Sequence, residues 1–163
     1  MHTDQKEFLQ DKYDAAAWHG RGRRGQRLLK DFSFTGSEIH GWTLHRIRRD
    51  EYTKPVAIHS FWRHGDSAGE LVAIDVFECT TVKAAHDQLL EALGNMESDA
   101  VKRHDEKNSP GDVAFGLGRT MVLFARANLV VLIRNAGPDV VHVEAIARGL
   151  DARLTRWGEL KKG

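Results

Sequence analysis

Two apolar segments in the C-terminal half constrain the fold of this chain more than any other feature. Residues 120–126 (TMVLFAR) and 129–134 (LVVLIR) have the length and composition of strands, and only Ala127 and Asn128 separate them. Two residues suffice for a hairpin turn, and asparagine tolerates the positive φ that such a turn requires. Because both faces of the paired strands are apolar, the hairpin is expected at the centre of a sheet that is covered on both sides. The expected cross-strand pairs are Phe124/Val131 and Val122/Ile133 on one face and Leu123/Leu132 on the other.

Four further segments have the composition of β-strands. They are rich in β-branched and aromatic residues, and residues typical of turns lie between them. These segments are residues 42–49, 56–63, 70–78 and 113–117. The polar stretch 97–112 is predicted to be the longest loop, with a short strand near Val101.

Two segments predict helices that cover the sheet. Residues 80–93 have a cap at Thr80 or Thr81 and Gly94 just beyond their end. Asp139 can cap a second helix to about residue 157, whose apolar residues recur at helical spacing. The order βββα-βββα therefore predicts an α+β fold, a mainly antiparallel sheet of about six strands covered by two main helices.

The first 31 residues differ from the rest and are predicted to lie outside the main domain, which spans 32–163. Residues 4–18 can form a short helix. Residues 19–30 (HGRGRRGQRLLK) contain three glycines, five basic side chains and no acid, which predicts a flexible basic arm.

Charge and cysteine content exclude several classes of protein. Twenty-four Lys and Arg balance 23 Asp and Glu, for a net charge of +1, so a nucleic-acid-binding role is not expected without a local basic patch. The longest apolar runs are far too short for a membrane span. A single cysteine and a start without an apolar h-region indicate a cytoplasmic protein, or a secreted or periplasmic one if a leader has been removed.

The basic arm contains a sequence that matches G-x-G-x-x-G at residues 20–25. Dinucleotide binding through this motif needs a preceding strand and a βαβ unit, and the sequence DAAAWH before it is no strand, so the match is interpreted as coincidence. Arginines on such an arm could instead bind phosphate or RNA, although a solvated linker is the commoner role. The arginines concerned are Arg21, Arg23, Arg24 and Arg27.

Register suggests one acid–base pair. If residues 56–63 and 70–78 pair around the loop HGDSAG with residue numbers adding to about 134, His59 lies opposite Asp75 on the less apolar face, with His45 nearby. Such a pair can orient an imidazole for proton transfer or metal binding, or can be a structural ion pair, which is the commoner case. Neither a metal nor a cofactor is expected, because the nine histidines form no H-E-x-x-H motif and the single cysteine excludes cysteine-rich zinc patterns.

Two further features carry weaker hypotheses. Cys79 precedes the predicted helix, whose N-terminus could lower the pKa of the thiol and make it reactive, although a buried apolar role is commoner. Arg46, Arg48 and Arg49 are interpreted as a charged edge, solvated or facing a partner.

In its element order alone, the region 32–157 resembles the PsbP-like α+β sandwich, named after an extrinsic subunit of photosystem II. The resemblance implies a binding or assembly module and carries no site residues. The dimeric ferredoxin-like domain has a similar order and would imply a homodimer.

Three functions are therefore considered. The first is a non-enzymatic module that binds a protein partner or a small ligand at a sheet edge or a helix-flanked cleft. The second is a small enzyme or metal-binding protein that uses His59, Asp75 and His45. The third is RNA or phosphate binding through the arginine arm.

Overall fold

The computed structural model describes residues 1–18, 32, 34–105 and 107–160. One antiparallel sheet contains all seven described strands in the order β1-β2-β3-β7-β6-β5-β4. The strands are β1 (Trp42–Asp50), β2 (Val56–His64), β3 (Leu71–Glu78), β4 (Val101–Arg103), β5 (Val113–Leu117), β6 (Met121–Arg126) and β7 (Leu129–Asn135). The helices are α1 (Thr3–Lys12), α2 (Val82–Asn95) and α3 (Glu144–Leu160), and a single 3-10 turn, Ala15–Ala17, follows α1.

The α+β class and the mainly antiparallel sheet are confirmed. The strand count is seven rather than six because the short segment at Val101 pairs with β5 and forms an edge of the sheet. The β6–β7 hairpin has the expected register, with Phe124 opposite Val131 and Leu123 opposite Leu132. Its turn places the positive φ at Ala127, not at Asn128. The Asn128 side chain instead donates a hydrogen bond to the carbonyl of Cys79.

Each apolar face of the central hairpin is buried in its own hydrophobic core. On one face of the sheet, which we call the α3 face, α3 packs on the strands together with Phe32 and Phe34. Phe34 meets the ring of the fully buried Trp62 edge-on. On the second, the α2 face, α2 packs against apolar residues of β5, β6 and β7. The sheet is thus the middle layer between helices, as its alternation of apolar residues requires.

The N-terminal helix belongs to the second core. Leu9, Tyr13 and Trp18 are buried there, and the rings of Tyr13 and Trp18 both contact Phe115. A side chain at Gly94 would collide with Leu9, so this glycine lies inside α2 where α1 crosses it, not beyond the end of the helix. Residues 1–18 therefore pack on the main domain, although the sequence predicts that they lie outside it.

Helix α3 begins at Glu144, four residues later than the cap at Asp139 predicts. Asn135 binds both the N–H and the carbonyl of Val141, at 2.9 and 3.1 Å, which holds the approach to the helix in a non-helical conformation. Val143 is fully buried in this approach. The apolar residues at helical spacing that predicted the helix therefore begin in the non-helical segment that precedes it.

Candidate functional site

Strand alternation on β2 and β3 turns the predicted His59–Asp75 pair away from the α3 core. Ile58, Ser60 and Trp62 face α3, so His59 and Phe61 face the opposite side. The predicted register is correct, and Nδ1 of His59 lies 2.7 Å from Oδ1 of Asp75. Since an ionised carboxylate can only accept, the Nδ1–H of His59 donates to Asp75.

A β-bulge in β1 brings two arginines to the same side. The pairing of β1 with β2 shifts between Leu44 and Arg46, which leaves His45 without an opposite residue. Beyond the bulge Arg46 pairs with Phe61 and Arg48 with His59. An extra residue in a strand reverses the alternation that follows it, so the bulge is the reason these arginines leave the α3 face.

The pairing continues across β3 to β7 and forms two rows of side chains on one face. The first row is Arg46, Phe61, Ala73 and Arg134. The second row is Arg48, His59, Asp75 and Leu132. We call this part of the α2 face the open face.

The open face contains a depression of about 400 Å³. Its lining residues all belong to strands, because α2 packs further along the sheet, on β6 and β7. They are Arg46, Arg48, His59, Phe61, Asp75 and Arg134. The volume lies within the range of small-molecule sites in proteins.

Positive charge predominates in this depression. Asp75 is the one carboxylate among the described residues that line it, and it is shared between His59 at 2.7 Å and Arg134 at 3.9 Å. Within the described part of the chain, Arg46 and Arg48 have no hydrogen bond or ion pair. Guanidinium groups without an anionic partner around a concave surface are typical of sites that bind carboxylates or phosphates.

The imidazole of His59 is held in one orientation. Asp75 binds one ring nitrogen, and the ring of Phe77 meets the imidazole edge-on at 5.9 Å between centroids. The second nitrogen, Nε2, has no hydrogen-bond partner among the described residues. The ring can therefore donate or accept one hydrogen bond in the depression.

The other predicted site residues are elsewhere. His45 occupies the bulge and does not line the depression. Arg49 lies on the α3 face and donates a 2.6 Å hydrogen bond to the carbonyl of Phe32. Arg21, Arg23, Arg24 and Arg27 lie outside the described residues. Over the residues that are described, no three His, Cys, Asp or Glu side chains are close enough together to hold a metal ion.

The environment of Cys79 opposes thiol reactivity. The residue is buried, and burial raises the pKa of its thiol to about 11, with a further contribution from the charge of Glu78. Helix α2 begins at Val82, and the side chain of Thr81 caps it by accepting from the N–H of Ala84. The helix dipole does not offset burial at the thiol, and little thiolate forms at neutral pH.

Arg134 is the lining residue that the sequence did not indicate. It enters the site because β7 pairs with β3, two elements separated in the chain by α2 and three strands. The bulge did leave a signal, since the apolar positions of β1 change from Trp42 and Leu44 to Ile47. That change from even to odd numbers marks an extra residue in the strand.

Comparisons with known proteins found no match to a family model, a curated protein or a solved structure. The PsbP-like resemblance stays a prediction from element order. None of the described helices combines the length and the apolar character that a membrane span needs.

Proposed function

We propose that this protein is a binding module for a small anionic ligand, which it holds on the open face. The observation that carries the proposal is that Arg46, Arg48 and Arg134 line one depression, in which Asp75 is the one carboxylate among the described lining residues. Each guanidinium can donate paired hydrogen bonds to a carboxylate or a phosphate. His59 Nε2 can supply one further polar contact.

A small ligand fits the depression better than a flat protein surface does. The site is concave, and Phe61 supplies an exposed apolar surface beside the charges. Small-molecule sites combine apolar walls with a few converging polar groups in this way. A protein partner stays an alternative for the edge strands.

Calorimetric titration with inorganic phosphate and with benzoate tests the proposal. We expect both anions to bind, and R48Q to weaken binding about tenfold, since a hydrogen bond to a charged group contributes about 1.5–3 kcal/mol. The matched control is R153Q, because Arg153 is exposed on α3 on the other side of the sheet. Equal affinities for R48Q and the unchanged protein, or an equal loss in R153Q, would contradict the proposal.

A single-stranded oligonucleotide belongs in the same titration. Tighter binding than to phosphate or benzoate, with affinity falling steeply as salt increases, would show that a nucleic acid is the ligand. We expect the oligonucleotide to bind no more tightly than the small anions, because the chain carries a net charge of only +1.

An acid–base enzyme is the second candidate, and the orientation of His59 favours it. A carboxylate at one ring nitrogen and an exposed second nitrogen are the arrangement that many general bases use. Hydrolysis of p-nitrophenyl phosphate and p-nitrophenyl acetate distinguishes the two functions. A binding module predicts equal slow rates for H59Q and the unchanged protein, whereas a rate that depends on His59 favours the enzyme.

A further inference from the structure

We infer that the ligand of the open face carries two anionic groups, one at each end of a flat apolar body. This inference rests on the proposed function, because it concerns the same depression and specifies which anions fit it. It follows from the order of the side chains in the first row, which runs from a cation through two apolar groups to a second cation.

The two ends of this row lie far apart. Arg46 is on β1 and Arg134 on β7, so three interstrand steps of about 4.8 Å place their backbones about 14 Å apart. A single compact anion would draw both side chains flat across Phe61 and Ala73. A ligand with an anionic group at each end requires each guanidinium to reach inward over only the residue next to it in the row.

Both ends can engage an anion. Arg48 follows Arg46 on the same face of β1, so the first end presents two guanidiniums, neither of which has a hydrogen bond or an ion pair with a described residue, although the charge of Arg48 also acts on Asp50. At the second end, the Arg134 side chain is 44% exposed. Its Nη2 is 3.9 Å from Oδ2 of Asp75, beyond hydrogen-bond distance, and His59 binds the other oxygen of this carboxylate, Oδ1. Arg134 can therefore turn to a ligand without breaking a hydrogen bond to Asp75.

The middle of the row is apolar. Phe61 is 38% exposed, which is unusual for an aromatic residue in the central part of a strand, whereas Ala73 beside it is buried and does not line the depression. A flat aromatic body can stack on the exposed Phe61 ring. An aromatic dicarboxylate with its acids on opposite sides has this shape and charge.

Three related probes separate shape from charge. Terephthalate carries two carboxylates on opposite sides of the ring, phthalate carries the same charge on adjacent carbons, and benzoate carries one carboxylate. We expect calorimetry on the full chain to give terephthalate an affinity on the order of tenfold above both others. In R134Q, and separately in R46Q, we expect this preference to disappear, while R153Q retains it.

The outcomes distinguish this inference from the proposed function. Equal affinities for terephthalate and phthalate would overturn the inference and leave anion binding intact. A loss of benzoate binding in R134Q as large as the loss of terephthalate binding would also overturn it, since both arginines would then bind one anion. If none of the three probes binds, the proposed function fails as well. Circular dichroism of each variant verifies that it is folded.

Discussion

Individual side chains on the open face owe their orientation to their neighbours more than to their own type. Asp75 is buried, with 9% of its surface exposed. The cost of burying its carboxylate is offset by the hydrogen bond from His59 at 2.7 Å and by the nearby charge of Arg134. Ser60, one residue from His59, points to the opposite core and accepts the indole N–H of Trp62. Adjacent residues of β2 thus serve two different surfaces, one structural and one available to a ligand.

Cys79 makes a prediction about alkaline pH. Its pKa is about 11 in the folded protein, above the ordinary value of 9.0, because the thiol is buried. Between these values the unfolded chain loses the thiol proton and the folded chain keeps it, so the free energy of unfolding falls as pH rises from about 9 to about 11. The contribution lost is at most about 3 kcal/mol.

Urea denaturation of the unchanged protein and of C79A across this range measures the effect. The variant removes the thiol and should show a smaller decrease in stability above pH 9, whatever its stability below that pH. Parallel curves for the two proteins would contradict the pKa shift.

At the scale of elements, most of the fold could be predicted because its signals are local. Every described strand and both main helices were predicted from apolar alternation, turn residues and apolar residues at helical spacing. The apolar pattern of β2 and β3 predicted the register that pairs His59 with Asp75. The rest depended on non-local packing. No local pattern could show that β7 pairs with β3 and brings Arg134 to the site, or that α1 would cover Gly94.

The β1 bulge makes a prediction about His45. Deletion of His45 makes Leu44 and Arg46 neighbours that still lie opposite Trp62 and Phe61, so Arg46 and Arg48 stay on the open face and phosphate binding should be retained. H45A keeps the backbone length and should change stability by less than about 0.5 kcal/mol. Calorimetry and urea denaturation give both quantities. A loss of phosphate affinity in both variants would make His45 itself a binding residue, and a loss in the deletion alone would contradict the register of β1.

Three elements meet at a buried ion cluster around Arg126. Its Nη2 lies 2.7 Å from Asp151 on α3, and its Nη1 lies 3.2 Å from Asp112 before β5. Asp112 also accepts from the N–H of Ala127 at the hairpin turn. Burial opposes the charge, but the hydrogen bond and the charges of both carboxylates raise the pKa of the Arg126 guanidinium. The cluster joins the central hairpin to a helix and to the preceding loop.

Removal of this arginine should be costly. R126M leaves two carboxylates with little exposure, 0% for Asp112 and 12% for Asp151, so unfolding free energy should fall by about 3–5 kcal/mol. The control is K83M, which removes an exposed pair with Asp87 and should cost less than about 1 kcal/mol. Urea denaturation compares them, and losses of similar size would show that the cluster contributes no more than a surface ion pair.

At the scale of the whole molecule, the two faces of one sheet have different roles. The α3 face is covered by α3 and by Phe32 and Phe34 over its apolar residues. On the other face, α2 packs on β6 and β7, and Tyr13 and Trp18 pack on Phe115 of β5. The described helices leave exposed the depression that β1, β2 and β3 form with Arg134 of β7. A rigid, hydrogen-bonded sheet can hold the arginines in place before a ligand arrives, which lowers the entropic cost of binding.

The most direct test of an anion site on the open face is a titration of the ¹⁵N-labelled full chain with inorganic phosphate, in which the backbone amide shifts are recorded by NMR at each step. We predict saturable shifts concentrated at Arg46, Arg48, His59, Asp75 and Arg134, with little change along α3. Shifts that concentrate on α3, at Arg153 and Arg156, would contradict an anion site on the open face. The absence of saturable shifts at every residue of β1, β2 and β3 would contradict it as well.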